Sequence, residues 1–245
     1  LHLAYPALKP AASVSATGSA GTLGSGDWLK DRYGTRIVAA EALECPTMLA
    51  NGFGEHNIQG IGDKHIPLIH NVMNTDYVVA ISDRSTDSLN ALFNTNEGKR
   101  YLDGRRGVPA EIVQQLPHMG FSSICNVLGA IKVAKYAEMG PDDVIVTVAT
   151  DGAELYTTEL EKCLARDFAG GFDEVSDGET FGQHMLGTGT DNMLELTLHD
   201  RRRRGPLAHV PRHIGLAGRV TEREARDPRK PIVRDRHRTA PDTAR

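Results

Sequence analysis

Thr17-Gly18-Ser19-Ala20-Gly21-Thr22 is a run of small residues between an apolar segment, Ala11 to Ala16, and a helix signal from Ser25. Strand, small-residue loop, helix is an arrangement that holds an anion. Small side chains let the backbone come close, its N–H groups point inward, and the helix dipole favours negative charge. A phosphate is the expected ligand; an ordinary strand-to-helix turn is the plain alternative. Ser25 is placed as the N-cap of that helix and Gly34 as its stop. Gly60 and Gly62 flank Ile61 in His56-Asn57-Ile58-Gln59-Gly60-Ile61-Gly62. They suit either a loop approaching a ligand or simple turns. Ser122 and Ser123 stand before a helix, where either would also serve as an N-cap. The ten histidines show no tight ligand pattern; His65 and His70 are five residues apart, and no metal site is expected. Cys45, Cys125 and Cys163 are too scattered for a metal pair or a disulfide framework, and a reducing cytoplasm is their simplest location. Cys125, beside Ser122, reads as a small core residue rather than a nucleophile.

These groups must be positioned by alternating strands and helices. Arg36 to Glu41, Tyr77 to Ile81 and Asp143 to Val148 are short, Val/Ile-rich and nearly continuous in apolar character. Strands buried on both faces look this way. Helix signals lie between them at Thr86 to Phe93, Ala110 to Gln115 and Ile124 to Met139, the last stopped by Gly140-Pro141. The alternation predicts an α/β fold, three-layered and doubly wound, with a mostly parallel sheet. Asn96 to Arg106 is polar with two glycines and reads as an exposed loop. Ala169 to Gly178 reads as another, leading into Thr180 to Leu186.

Four segments, in order, resemble one family. Gly18-Ser19-Ala20-Gly21-Thr22 resembles the GTGGT/GSGGT phosphate cup of pyridoxal-phosphate enzymes of the cysteine synthase type. His56 to Gly62, followed by Ile66-Pro67, resembles the family's HKIQGIG segment. Gly120-Phe121-Ser122-Ser123 resembles its GISSG turn. Val144 to Tyr156, ending Asp151-Gly152-Ala153-Glu154-Leu155-Tyr156, resembles its strand and following Ser-x-Gly-Glu-Arg-Tyr turn. Glu41 sits where the family has Val-Glu-Pro. The resemblance covers residues 12–160 and implies the carboxyl-terminal half of a fold-type-II enzyme, most of its large domain; residues 180–200 also resemble the distal part of a longer branch. It implies pyridoxal 5'-phosphate as cofactor, held by Gly18, Ser19, Ala20, Gly21 and Thr22. Ser122 would meet the pyridine nitrogen, and Gly60, Ile61 and Gly62 would line the substrate pocket. A hydroxyl at the nitrogen leaves it largely unprotonated, which suits β-elimination and β-replacement.

Three departures qualify the resemblance. Ala20 replaces a family glycine, Ile124 replaces the glycine after the serine pair, and residues 96–117 look inserted. The largest difference is an absence. The family's cofactor-bearing lysine and its Thr-Ser-Gly-Asn-Thr loop precede the cup, whereas only Lys9 precedes it here. The chain, which starts at Leu1 without an initiator Met, is therefore expected to be part of an enzyme and inactive alone. The complete enzyme is expected to take a small amino acid such as serine or O-acylserine and to form a homodimer. A dinucleotide-binding module is the first alternative, with Gly18-x-x-Gly21-x-x-Gly24 as its loop and Glu41 as its ribose acid. A non-catalytic binding domain on the same fold is the second.

Charge divides the chain. Residues 200–245 carry 14 of the 28 basic and 6 of the 32 acidic residues, a net +8 against −12 for residues 1–199. An acidic body argues against nucleic acid as partner. No run of about 18 apolar residues exists, so no membrane partner is expected. Residues 1–200 are taken as the partial cofactor-binding domain. Residues 201–245, with thirteen arginines, one lysine and no aromatic residue, are taken as a poorly structured tail or an out-of-frame translation.

Overall fold

Small and β-branched residues build the centre of the sheet. In the computed structural model, which describes residues 8–62 and 65–205, β1 (Lys9–Ala16), β2 (Arg36–Ala42) and β3 (Tyr77–Ile81) run parallel in adjacent positions. Alternation along them feeds two cores. Ala12, Val14, Val38, Ala40, Tyr77, Val79 and Ile81 face one layer. Ile37, Ala39 and Val78 face the other. The second layer holds α1 (Gly21–Tyr33), the crossover from β1 to β2. The first holds α3 (Asp83–Asn94) and α6 (Phe121–Tyr136). Gly129 lets α6 lie close to the sheet, since a Cβ there would sit 3.1 Å from Val79 Cγ2 and 3.2 Å from Val14 Cγ1.

After α6 the chain returns to the far side of β1 and forms β4 (Asp143–Thr147), also parallel. The sheet order is therefore β4-β1-β2-β3-β5, where β5 (Met193–Glu195) pairs antiparallel with β3. The direction of winding reverses between β1 and β4. That reversal opens a crevice beyond the carboxyl ends of the two strands, the usual ligand position in open α/β sheets.

The three-layer, mostly parallel α/β architecture agrees with the sequence reading, and Gly34 stops α1 in the left-handed region at φ 72°. Several local expectations are corrected. Helix α1 starts at Gly21 with Ala20 as N-cap; Ser25 lies inside it and donates to the Thr22 carbonyl at 2.7 Å. Strand β4 is half exposed rather than buried on both faces, because no described strand pairs beyond it. Helix α6 ends at Tyr136, before Gly140-Pro141, as Glu138 turns left-handed at φ 49°.

The stretch from Asn96 is not a loop. It forms α4 (Asn96–Arg100) and a π-helical turn, Tyr101–Arg105. Thr95 caps α4 by accepting from Gly98 N, and Gly98 is a packing glycine against the Leu92 carbonyl. The 169–178 stretch likewise becomes helical from Glu174. Asp173 caps α8 (Glu174–Phe181), which runs into a second π turn, Gly182–Leu186. Short α2 (Thr47–Ala50) and α5 (Ala110–Val113), with α7 (Thr157–Asp167), complete the body. The first arginines of the expected tail are ordered: Leu198–Arg204 is α9, started by a Thr197/Asp200 capping box. Residues 206–245, the rest of that tail, lie outside the described residues.

Candidate functional site

Chain direction decides what meets at the crevice. Parallel strands point the same way, so the segments leaving β1 and β4 and the N-termini of α1 and α6 gather at one end of the sheet. Residues 17–20 join β1 to α1. Thr17 N donates to the Ala40 carbonyl at 2.7 Å, which holds the loop over β2. Ala20 is buried and left-handed at φ 63°, the conformation a glycine would take more cheaply. No side chain caps α1, and its first turn contains no acidic residue. The leading N–H groups of a 13-residue helix thus have no side-chain acceptor among the described residues. The Thr22 hydroxyl is shared with Ser15 beneath the loop.

The HNIQGIG-like segment lies on this loop. Gly62 N donates to the Thr17 carbonyl at 2.5 Å. A Cβ on Gly18 would lie 3.4 Å from the Gly60 carbonyl oxygen and 3.6 Å from Ile61 Cα. Gly62 has φ 84°, and any side chain there would run into the His56 ring. Gly60 then leads to the fourth segment: a Cβ on it would lie 3.6 Å from Asp151 Oδ2. Asp151 joins the third, since its carbonyl accepts from Gly120 N at 2.7 Å and its carboxylate from Tyr156 Oη at 2.8 Å. Burial and the Asp151 carboxylate push the Tyr156 phenol up to about 12, so it stays protonated and donating.

Ser122 is buried in the first turn of α6, its Oγ 3.4 Å from Thr150 Oγ1. It is not the N-cap. Gly120 occupies that position and supplies no side chain, so α6 also begins without a side-chain cap. Ser123 is buried with its Oγ unpartnered among the described residues. Gly18, Ser19, Ala20, Gly21 and Thr22 are therefore contiguous with Gly60, Ile61 and Gly62, and Gly60 links them through Asp151 to the Ser122 turn. Cys125 is fully buried and its thiol is pushed up to about 12 by burial, in keeping with a core residue. His70 bonds Thr75 Oγ1 at 2.9 Å, and burial lowers it to about 4.

Some supporting residues were not anticipated. Asp83 accepts from Asn57 N at 2.6 Å and Ile58 N at 3.2 Å. Asp87, almost fully buried, accepts from Asn57 Nδ2 at 2.8 Å and Arg166 Nη2 at 2.9 Å. Two acids four residues apart on the first turns of a helix were the available signal. Asn126 donates to the Val148 carbonyl at 2.9 Å and ties α6 to the chain leaving β4. Glu41, offered as a ribose acid, is buried with its oxygens accepting from Met48 N at 2.9 Å and Leu49 N at 2.8 Å. It closes the start of α2.

In sequence and in fold the chain resembles a cysteine synthase and a hydrogen sulfide-producing enzyme. The chain is 32% identical to cysteine synthase B of Campylobacter jejuni over 150 residues, 60% of this chain and 43% of that protein. It superposes on a hydrogen sulfide-producing enzyme of Fusobacterium nucleatum with a TM-score of 0.50 at 26% identity, over 63% of this chain and 41% of that one. A variant of that enzyme, complexed with an α-aminoacrylate intermediate, matches in fold with a TM-score of 0.50 at 23% identity, over 80% of this chain and 49% of that one. The chain thus spans less than half the length of each of these relatives. No protein-family model matches it. Among the described residues, no helix is long and apolar enough to cross a membrane.

Proposed function

We propose that the chain supplies the phosphate cup and the pyridine-side wall of a pyridoxal-phosphate enzyme. The reaction is β-replacement or β-elimination on an amino acid such as serine or O-acylserine. The observation that carries the reading is the uncapped N-terminus of α1 at the sheet's reversal point, with the Gly60–Gly62 loop seated on Gly18. The likeness to cysteine synthase B supports the same reading.

The residues fit the cofactor. The backbone N–H groups of residues 18–22 and the positive end of α1 would hold its phosphate, and the Ser19 hydroxyl adds a donor. Ser122 would meet the pyridine nitrogen, and Gly60 to Gly62 would border the substrate. Bound there, the cofactor supplies an electron sink for a carbanion at the substrate α-carbon. This chain's part is to bind, orient and exclude water.

Proton transfer at the α-carbon needs a lysine, and four of the six described lysines make side-chain bonds elsewhere. Lys30 pairs with Asp76 at 2.6 Å, Lys132 with Asp191 at 3.0 Å and Lys162 with Glu159 at 2.7 Å. Lys135 donates to the Thr188 carbonyl at 2.5 Å, and Lys9 begins β1 at the end of the strand away from the cup. Lys64 lies outside the described residues. On this reading the cofactor-bearing lysine is neither one of these five nor Lys99 of α4, and the chain alone does not turn over. The complete enzyme is proposed to work as a homodimer in the cytoplasm.

Calorimetric titration with pyridoxal phosphate tests the cup. Gly21→Asp places a like charge and bulk at the helix N-terminus and should weaken binding about tenfold or more. Equal binding by both proteins would remove the cup from the reading. Borohydride trapping with peptide mapping, run beside pyruvate and sulfide-incorporation assays, tests the lysine statement. Stoichiometric labelling of one described lysine together with turnover would refute it.

A further inference from the structure

An open cleft of about 350 Å³ lies between α4 with its π turn and the start of α8, lined by Glu97, Arg100, Tyr101, Arg105, Glu174 and Asp177. Both walls come from segments outside the four motif matches: the stretch that looks inserted, and residues beyond 160. π-helical turns, uncommon in proteins, are often found at functional sites. Here Tyr101–Arg105 forms one wall of the cleft. The charges are unevenly spent. Arg100 is paired with Glu97 at 2.8 Å. Glu174 and Arg105 make no ion pair among the described residues.

Asp177 is the decisive group. It is 1% exposed, yet its Oδ1 has no hydrogen-bond partner among the described residues. A buried carboxylate oxygen without a donor costs free energy that a cationic or N–H-bearing ligand would recover. A metal is a poor fit, because no three ligating side chains converge among the described residues.

We propose that this cleft binds a small amino acid as its zwitterion, the ammonium held by Asp177 and Glu174 and the carboxylate by Arg105. The site is separate from the cup and does not depend on the cofactor reading. Burial and the neighbouring Glu97, Asp173 and Glu174 push the Asp177 carboxyl up to about 6, against the opposing pull of Arg100. An ammonium needs the ionised form. Affinity should therefore rise as pH increases through about 6 and then level off.

Equilibrium dialysis of the full chain against isotope-labelled L-alanine, with ethylamine and propionate as competitors, tests the proposal. L-Alanine should bind, ethylamine should compete weakly and propionate hardly at all. Asp177→Asn keeps the shape, removes the charge and should lower affinity about tenfold or more. Gly104→Leu fills the cleft from the π turn, where a Cβ meets nothing within 4 Å, and should abolish binding with the fold intact. Gly21→Asp in the cup should change nothing, which separates failure here from failure of the cofactor reading. No binding of L-alanine, undiminished binding by Asp177→Asn or Gly104→Leu, or loss in Gly21→Asp would overturn the proposal. Ethylamine or propionate competing as well as unlabelled L-alanine would overturn it too.

Discussion

Ala20 shows what residue identity alone conveys. Ala20, in a run of small residues, is buried in a left-handed turn. Its left-handed backbone was invisible in the sequence, because alanine carries no signal for positive φ. The mistaken cap at Ser25 has the same origin. A serine three residues before Trp28-Leu29 looks like a cap, but β1 ends at Ala16 and the backbone turns directly into α1 at Gly21. Gly62 is the opposite case, a glycine whose motif context already suggested close approach. Opposite mutations should separate the two. Ala20→Gly relieves a left-handed penalty of about 1–2 kcal/mol and loses about 0.5–1 kcal/mol to chain entropy, so a gain of up to about 1.5 kcal/mol is expected. Gly62→Ala adds that penalty and a collision with His56, and should cost about 2 kcal/mol or more. Urea unfolding of the two variants measures both. A stabilised Gly62→Ala would mean that the loop does not lie on the cup.

At the scale of elements, strands and long helices were legible where apolar periodicity was strong. β1, β2, β3, α3 and α6 all fall on such runs. Two of the missed elements, α4 and α8, lack that pattern. α4 and α8 are polar and glycine-bearing, and their starts are fixed by single caps, Thr95 and Asp173. β5 is three residues long and exists only because β3 offers it an edge. The site's motifs were legible as separate strings, but the carboxylates joining them were not, since their partners are remote in sequence. Asp87 is the clearest example: it joins α3 to Asn57 and to Arg166 of α7. Asp87→Ala should cost about 2–3 kcal/mol, the range for losing charge-assisted bonds at a buried position. It should also speed amide exchange at Asn57 and Ile58, because the segment is released from α3. Unchanged exchange there would show that Asp83 alone suffices to hold it.

Two buried groups pull the stability of the whole molecule in opposite directions with pH. His70 is held near 4, below its ordinary value, so the unfolded chain takes up a proton that the folded chain refuses. Its contribution is complete above about pH 6.5 and is lost as pH falls towards 4, on the order of 2–3 kcal/mol. Asp177, raised to about 6, has the reverse sign: it stabilises below about pH 4 and loses that contribution as pH rises through 6. The full chain should thus show a shallow profile between these limits. His70→Gln should leave the falling limb of Asp177, with stability decreasing as pH rises. Asp177→Asn should leave that of His70, with stability increasing as pH rises. Parallel profiles for the two variants would contradict both assignments.

The boundary of the folded body can be argued from the same bonds. The sequence break at residue 200 is real in composition, since arginines dominate from Arg201 onward. Composition did not reveal that the first of these arginines close the structure. Arg201 pairs with Asp76 at 2.9 Å, a carboxylate that also holds Lys30 and the Ile37 N–H. Arg204 donates to the Met48 carbonyl at 2.6 Å, at the end of α2. A guanidinium forks naturally between a carboxylate and carbonyls, so here the residue type that suggested a solvated tail serves as a clasp. Two truncations should therefore differ. A chain ending at Gly205 should melt with the full-length chain. One ending at His199 loses both arginines and most of α9, and should melt about 4–8 °C lower, corresponding to about 2 kcal/mol for a body of this size. Equal melting of both shortened chains would place the boundary at residue 200. A loss already present on ending at Gly205 would show that residues beyond it contribute to the fold.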